Sequence, residues 1–115
     1  MLMHGMEIQT AARYSIPVIF LVFNNSALGN VWLRARKEGP GPAALTELPT
    51  HDWAAFARSL GLKASTVNAP AELKTAFDKA FSAKGPYLLD VRCGKGFTTP
   101  VTPYSRAKQE WVDND

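Results

Sequence analysis

Six apolar residues in succession, Val18 to Phe23 (VIFLVF), run directly into Asn24 and Asn25. This segment restricts the fold more than any other. It is short for a helix, rich in β-branched and aromatic side chains, and continuous rather than alternating. That is the pattern of a strand covered on both faces, as in a parallel sheet layered with helices. The two amides that follow have two readings. They can close a turn by satisfying nearby backbone groups, or they can present neutral oxygens to a ligand at the end of the strand.

The flanking patterns support the layered sheet. Residues 5 to about 14 read as a helix with Ile8, Ala11 and Ala12 inward, ended at Ser15-Ile16-Pro17 because a residue before proline is pushed out of helical geometry. Residues 38–49, EGPGPAALTELP, carry enough proline and glycine to read as a long loop. Thr50 to Leu60 resumes helical spacing, with Trp53, Phe56, Ala57 and Leu60 on one stripe and Gly61 as the stop. Lys63 to Val67 is a short strand. From Asn68 and Pro70 a helix places Leu73, Ala76, Phe77, Ala80 and Phe81 on one face, and Gly85-Pro86 closes it before a third strand, Tyr87 to Val91. A Gly/Thr/Pro-rich passage and a polar tail follow, with a further helical turn expected near Ser105 to Trp111. Helix and strand thus alternate three times, which predicts parallel strands joined by right-handed crossovers: an α/β fold, a three-layer parallel sheet with helices on both faces.

Composition excludes several function classes. With 115 residues, 46% of them hydrophobic, the chain can bury a core. Its apolar runs fall far short of a bilayer span of about 20 residues, and Glu7 interrupts the N-terminal stretch where a signal peptide is apolar. A cytoplasmic protein with no membrane partner is therefore expected. One cysteine, Cys93, and two histidines, His4 and His51, do not suit a structural zinc site. The net charge of +3 is spread along the chain apart from Arg34, Arg36 and Lys37, so no nucleic-acid partner is expected.

Ligands of such sheets bind beyond the carboxyl ends of the strands, where Asn24 and Asn25 fall. There the stretch MEIQTAARYSIPVIFLVFNNSALGNVW resembles the second half of the thiamine-diphosphate-binding motif of the acetolactate synthase and 2-oxoacid decarboxylase superfamily. Met6-Glu7-Ile8 and Thr10 stand at the matching distances before Asn24-Asn25, and Ser26-Ala27-Leu28-Gly29 resembles the synthase-type turn. HDWAAFARSLGLKASTV and APAELKTAFDKAFSAKGPYLLDV follow the same family's order of helix, strand, helix, strand. The resemblance divides the chain into a partial thiamine-diphosphate-binding domain over residues 1–92 and a C-terminal extension over 93–115.

The resemblance implies that Asn25, Ala27, Leu28 and Gly29 bind the cofactor. Asn25 through its side-chain oxygen and Ala27 through its carbonyl would ligate the Mg²⁺ that neutralises the diphosphate. Val31, six positions after Asn25, falls where the family's simple decarboxylases carry an acid, and an apolar residue there favours carboligation over protonation; Trp32 beside it reads as a core residue, an interface anchor or, with Val31, part of the substrate pocket. The family's Gly-Asp-Gly would lie just before Met1, so the chain is expected to be the C-terminal part of a longer enzyme acting on a 2-oxo acid. It would then bind thiamine diphosphate weakly by itself and assemble with the remainder of the parent chain or a second subunit, as a homo-oligomer. An FAD site in the parent is left open. So is a second reading, a non-catalytic α/β binding or interaction module with a degenerate site. His51 is expected to cap or to lie at the surface, Met1, Met3 and Met6 to pack, Cys93 to be a strand-end residue, and the Arg34–Lys37 run to be a solvated face.

Overall fold

The computed structural model describes residues 5–95. In chain order these form α1 (Glu7–Arg13), β1 (Ile19–Asn24), α2 (Gly29–Glu38), α3 (Pro40–Ala44), α4 (Trp53–Ser59), β2 (Lys63–Val67), a 3₁₀ turn (Pro70–Glu72) running into α5 (Leu73–Ser82), and β3 (Tyr87–Arg92). The strands make one parallel sheet in the order β1-β3-β2. The last strand in sequence is thus the central one, and Tyr87 through Val91 are all buried. The tail expected to turn helical near Ser105 lies outside the described residues, as do Met1, Met3 and His4.

Successive strand residues point to opposite faces, which separates two cores. On one face α5 packs Ala76, Ala80, Leu73 and Phe77 against Val67, Tyr87, Leu89 and Val91. On the other, α1 and α4 bring Ile8 and Ala57 against Leu88, Phe20 and Val22. Leu88 and Leu89 are both fully buried, one in each core; each contributes on the order of 2–3 kcal/mol by leaving water. Helices therefore lie on both faces of the sheet, the layered α/β arrangement expected.

The ends of α1 and α4 share one geometry. At α4 the Gly61 N–H donates to Arg58 and the Leu62 N–H to Ala57; at α1 the Ser15 N–H donates to Ala12 and the Ile16 N–H to Ala11. This is the Schellman pattern, which puts the first residue past the cap in the left-handed region. Gly61 takes it at φ +91°, and Ser15, with its Cβ, at φ +51°.

Four expectations are corrected and one helix was not foreseen. Met6, expected to pack, is 66% exposed at the cap of α1. The described residues do not cover β1 on both faces: α5 lies over β2 and β3, and at the edge Leu21 and Phe23 remain 41% and 61% exposed. Phe81 is 75% exposed rather than inward; it stacks on Phe77 at a centroid distance of 6.1 Å, on the rim of the stripe. Residues 29–38 form a helix the periodicity did not reveal, and none of them is buried. Inside the stretch read as a loop, Pro40 starts α3, since the missing proline N–H costs nothing in a first helical turn.

Candidate functional site

The carboxyl ends of the strands carry a turn, residues 24–29, whose two asparagines have different duties. Asn24 ends β1 on the face shared with α4 and is 7% exposed. Its amide nitrogen donates one proton to Asp90 Oδ1 at 2.9 Å and the other to the His51 carbonyl at 2.9 Å. Both protons are committed, so the amide has one orientation. Asn25 lies one residue further, half-buried, and its Oδ1 accepts the Ala27 N–H at 3.2 Å, an Asx turn of the kind these residues form.

Ser26 between them holds φ +53°, a left-handed conformation that costs a residue with a side chain roughly 1–2 kcal/mol. Two bonds hold it there. Its carbonyl accepts the Leu48 N–H at 2.9 Å, and its hydroxyl meets the Thr50 hydroxyl at 2.8 Å. Ala27 then faces Glu47 in an antiparallel bridge. The bridge hydrogen bonds run from Leu28 N to Thr46 O and from Leu48 N to Ser26 O, so Ala27 and Glu47 are the non-bonded pair and Ala27 turns its own N–H and C=O away from the partner segment. Among the described residues no backbone N–H donates to the Ala27 carbonyl. Its oxygen and Asn25 Oδ1 are thus presented on the same outward side.

Gly29, at φ +39°, opens α2, and the Leu28 carbonyl accepts the Val31 N–H at 2.8 Å. The first turn of α2 contains no acidic residue, so the positive end of the helix is left without the carboxylate that commonly offsets it. Val31 is 54% exposed there. Trp32 is tied to the bridge: its indole N–H donates to Glu47 Oε1 at 3.3 Å, and Arg36 lies 5.2 Å over its ring. Lys95, just past β3, pairs with the other Glu47 oxygen at 2.8 Å. The Lys95 ammonium and then the Trp32 N–H hold the Glu47 carboxyl below the usual carboxylate range. Nearby, burial pushes the Cys93 thiol up.

The structure therefore brings Asn25, Ala27, Leu28 and Gly29 into one turn and sets Val31 and Trp32 on the helix it opens. His51, expected at a cap or the surface, has its carbonyl in the Asn24 network and its ring 5.1 Å from Trp53; Asp52 caps α4 through the Ala55 N–H. Sequence reasoning missed Asp90. It is fully buried, and besides Asn24 it accepts the Trp53 N–H at 3.0 Å and Arg92 Nη2 at 2.8 Å, both on Oδ2. The signal was an acidic residue inside the apolar run of Tyr87 to Val91, a place where a carboxylate stays charged only with partners. Among the described residues no three His, Cys, Asp or Glu side chains gather as a metal site, and no helix is long and apolar enough to cross a membrane.

Against known proteins, residues 1–91 match the model described as thiamine pyrophosphate enzyme, C-terminal TPP binding domain. The chain is 31% identical over 105 residues to a protein of Methanocaldococcus jannaschii named "Probable acetolactate synthase large subunit", covering 89% of this chain and 17% of that protein. A 2-hydroxyacyl-CoA lyase of rice, Oryza sativa subsp. japonica, is 32% identical over 92 residues, covering 76% of this chain and 16% of the lyase. The benzoylformate decarboxylase of Pseudomonas aeruginosa is 31% identical over 83 residues, 71% of this chain and 16% of that enzyme. The chain thus spans only a small part of the length of these relatives.

Proposed function

The chain belongs to the thiamine pyrophosphate enzyme family, in its C-terminal TPP binding domain, and we propose that its turn at residues 25–29 holds the diphosphate–Mg²⁺ end of the cofactor in an enzyme acting on 2-oxo acids. The observation that carries this reading is the strained Ser26 turn, which directs Asn25 Oδ1 and the Ala27 carbonyl outward beside the amino end of α2.

The donor chemistry fits. Mg²⁺ takes hard oxygen ligands, and a carboxamide oxygen has two lone pairs, so Asn25 can accept the Ala27 N–H with one and face a cation with the other. Two neutral oxygens make only part of an octahedral set. The remaining ligands would be diphosphate oxygens, water and groups outside the described residues. The start of α2, free of first-turn acids, favours phosphate on the same side.

Bound there, thiamine diphosphate supplies the electron sink for decarboxylation of a 2-oxo acid. The chain's own contribution is to fix the anionic end of the cofactor and shape the space beside it. Val31 offers an apolar, exposed side chain at that space and has no proton to donate, which favours carboligation of a second acceptor, as in acetolactate synthases, over simple protonation. Leu21, 41% exposed on the edge strand β1, favours assembly with further sheet or a second subunit, and we propose a cytoplasmic location.

The test uses Mn²⁺ in place of Mg²⁺, with thiamine diphosphate, on the full isotopically labelled chain. Paramagnetic broadening should centre on the amides of Asn25 to Gly29, even where affinity is weak, and Asn25→Ala should remove it while leaving the remaining spectrum in place. Broadening confined to carboxylates elsewhere in the chain, or none at the turn, would favour instead a non-catalytic module whose Asn25 merely closes its turn.

A further inference from the structure

Asp90 is the most deeply placed charge among the described residues, with no exposed surface, on the central strand. A carboxylate there is unfavourable unless its oxygens are saturated by donors, and the three donors come from three different places. Asn24 is the end of β1, Trp53 the first residue of α4, and Arg92 the end of β3 itself. Asp90 thus joins the strand that leads into the cofactor turn to the helix start that backs it.

From the geometry we infer that Asp90 is the positioning residue of this site, acting through Asn24 and the residue 50–53 segment to set the turn that presents Asn25 and Ala27. The inference rests on the cofactor reading above. Asp90 Oδ1 fixes one proton of the Asn24 amide, which leaves the second aimed at the His51 carbonyl. Asp90 Oδ2 fixes the Trp53 N–H. The segment between His51 and Trp53 is therefore held at both ends, and its neighbour Thr50 carries the hydroxyl that meets Ser26. The left-handed Ser26 and the outward Ala27 carbonyl depend on this chain of contacts, because an unsupported left-handed serine relaxes.

Asp90→Asn preserves size and breaks the pattern. The new amide must turn its nitrogen toward a donor. If it faces Asn24, that amide has to reverse, and its oxygen then opposes the His51 carbonyl. If it faces Trp53 and Arg92, two donors meet it. Either arrangement releases part of the chain leading to Ser26. Asp90→Ala is a poorer variant, since it leaves a half-buried guanidinium and two N–H donors without their acceptor and threatens the fold.

The first experiment needs no cofactor. In Asp90→Asn, hydrogen exchange at Ala27, Leu28 and Leu48, whose amides tie the turn, should accelerate at least tenfold while amides within α5 change far less. Equal acceleration everywhere, or none at the turn, would reduce Asp90 to a core carboxylate and overturn the inference. The second measures Mn²⁺-induced broadening at Asn25 to Gly29. Asp90→Asn should raise the Mn²⁺ concentration needed by about tenfold or more, the usual scale for partners that orient a metal ligand. Leu73→Ala, which loosens α5 on the opposite face, should leave it unchanged. Equal weakening in both variants would sink the positioning role. If the wild-type chain shows no broadening at the turn, the cofactor reading fails, and the exchange result alone decides whether Asp90 holds the turn.

Discussion

One helix-ending geometry, used at two places with different residues, permits a controlled pair of substitutions. Ser15 and Gly61 occupy the same position past the caps of α1 and α4, at φ +51° and φ +91°, with matching pairs of backbone bonds. A side chain in the left-handed region costs roughly 1–2 kcal/mol, whereas glycine loses about 0.5–1 kcal/mol more backbone freedom on folding. Ser15→Gly should therefore stabilise the chain by about 0.5–1 kcal/mol, since Ser15 is exposed and surrenders no packing. Gly61→Ala should destabilise it by about 1 kcal/mol through conformation alone, because the new Cβ would meet Ala12 Cβ at 3.7 Å, an ordinary contact. Urea denaturation reads both, and an unchanged slope keeps the comparison on the native state. In a domain of this size the thermal midpoint should move by a few degrees in opposite directions. A neutral or destabilising Ser15→Gly, or a costless Gly61→Ala, would refute the assignment of strain to the left-handed backbone.

Leu89→Ala, at a fully buried site on the central strand, should cost about 2–5 kcal/mol, while Phe81→Ala, at a residue 75% exposed, should stay within roughly 1 kcal/mol; urea midpoints that reversed this order would contradict the placement of α5. The Glu47 carboxyl is held low by Lys95 and Trp32, so its tie is complete above the ordinary glutamate pKa of about 4.3 and is lost as pH falls through the lower folded value. The Trp32 indole N–H resonance should titrate with a midpoint below that ordinary value and stop titrating in Glu47→Gln; a midpoint at or above it would show that the tie is absent in solution.

How much was legible in the sequence depended on whether a residue's signal was local. The spacing of Ile8 with Ala11, and of Leu73 with Ala76 and Ala80, marks core-facing helices because burial imposes a period of 3.6 along the chain. Helix α2 escaped because it buries none of its residues and its large apolar side chains, Val31, Trp32 and Leu33, follow one another in the chain. Leu21 and Phe23 were misjudged for a related reason. An unbroken apolar run states that both faces avoid water, but not whether the described elements cover them, and α5 lies over β2 and β3, with Ile19 of β1 at the margin of its core.

The candidate site divides in the same way. Asn25, Ala27 and Gly29 could be named from a short motif because they lie within one turn, close to one another in the chain. Asp90 acts 66 residues away from Asn24, and nothing in the order of residues says which carboxylate faces which amide. Sequence alone determined three alternations of helix and strand, a parallel sheet, and a strand that ends in two amides. Only the tertiary structure made the last strand the central one, set Asp90 behind Asn24, and opened Ala27 outward, because strand order and register are properties of pairing across the sheet and not of any one segment.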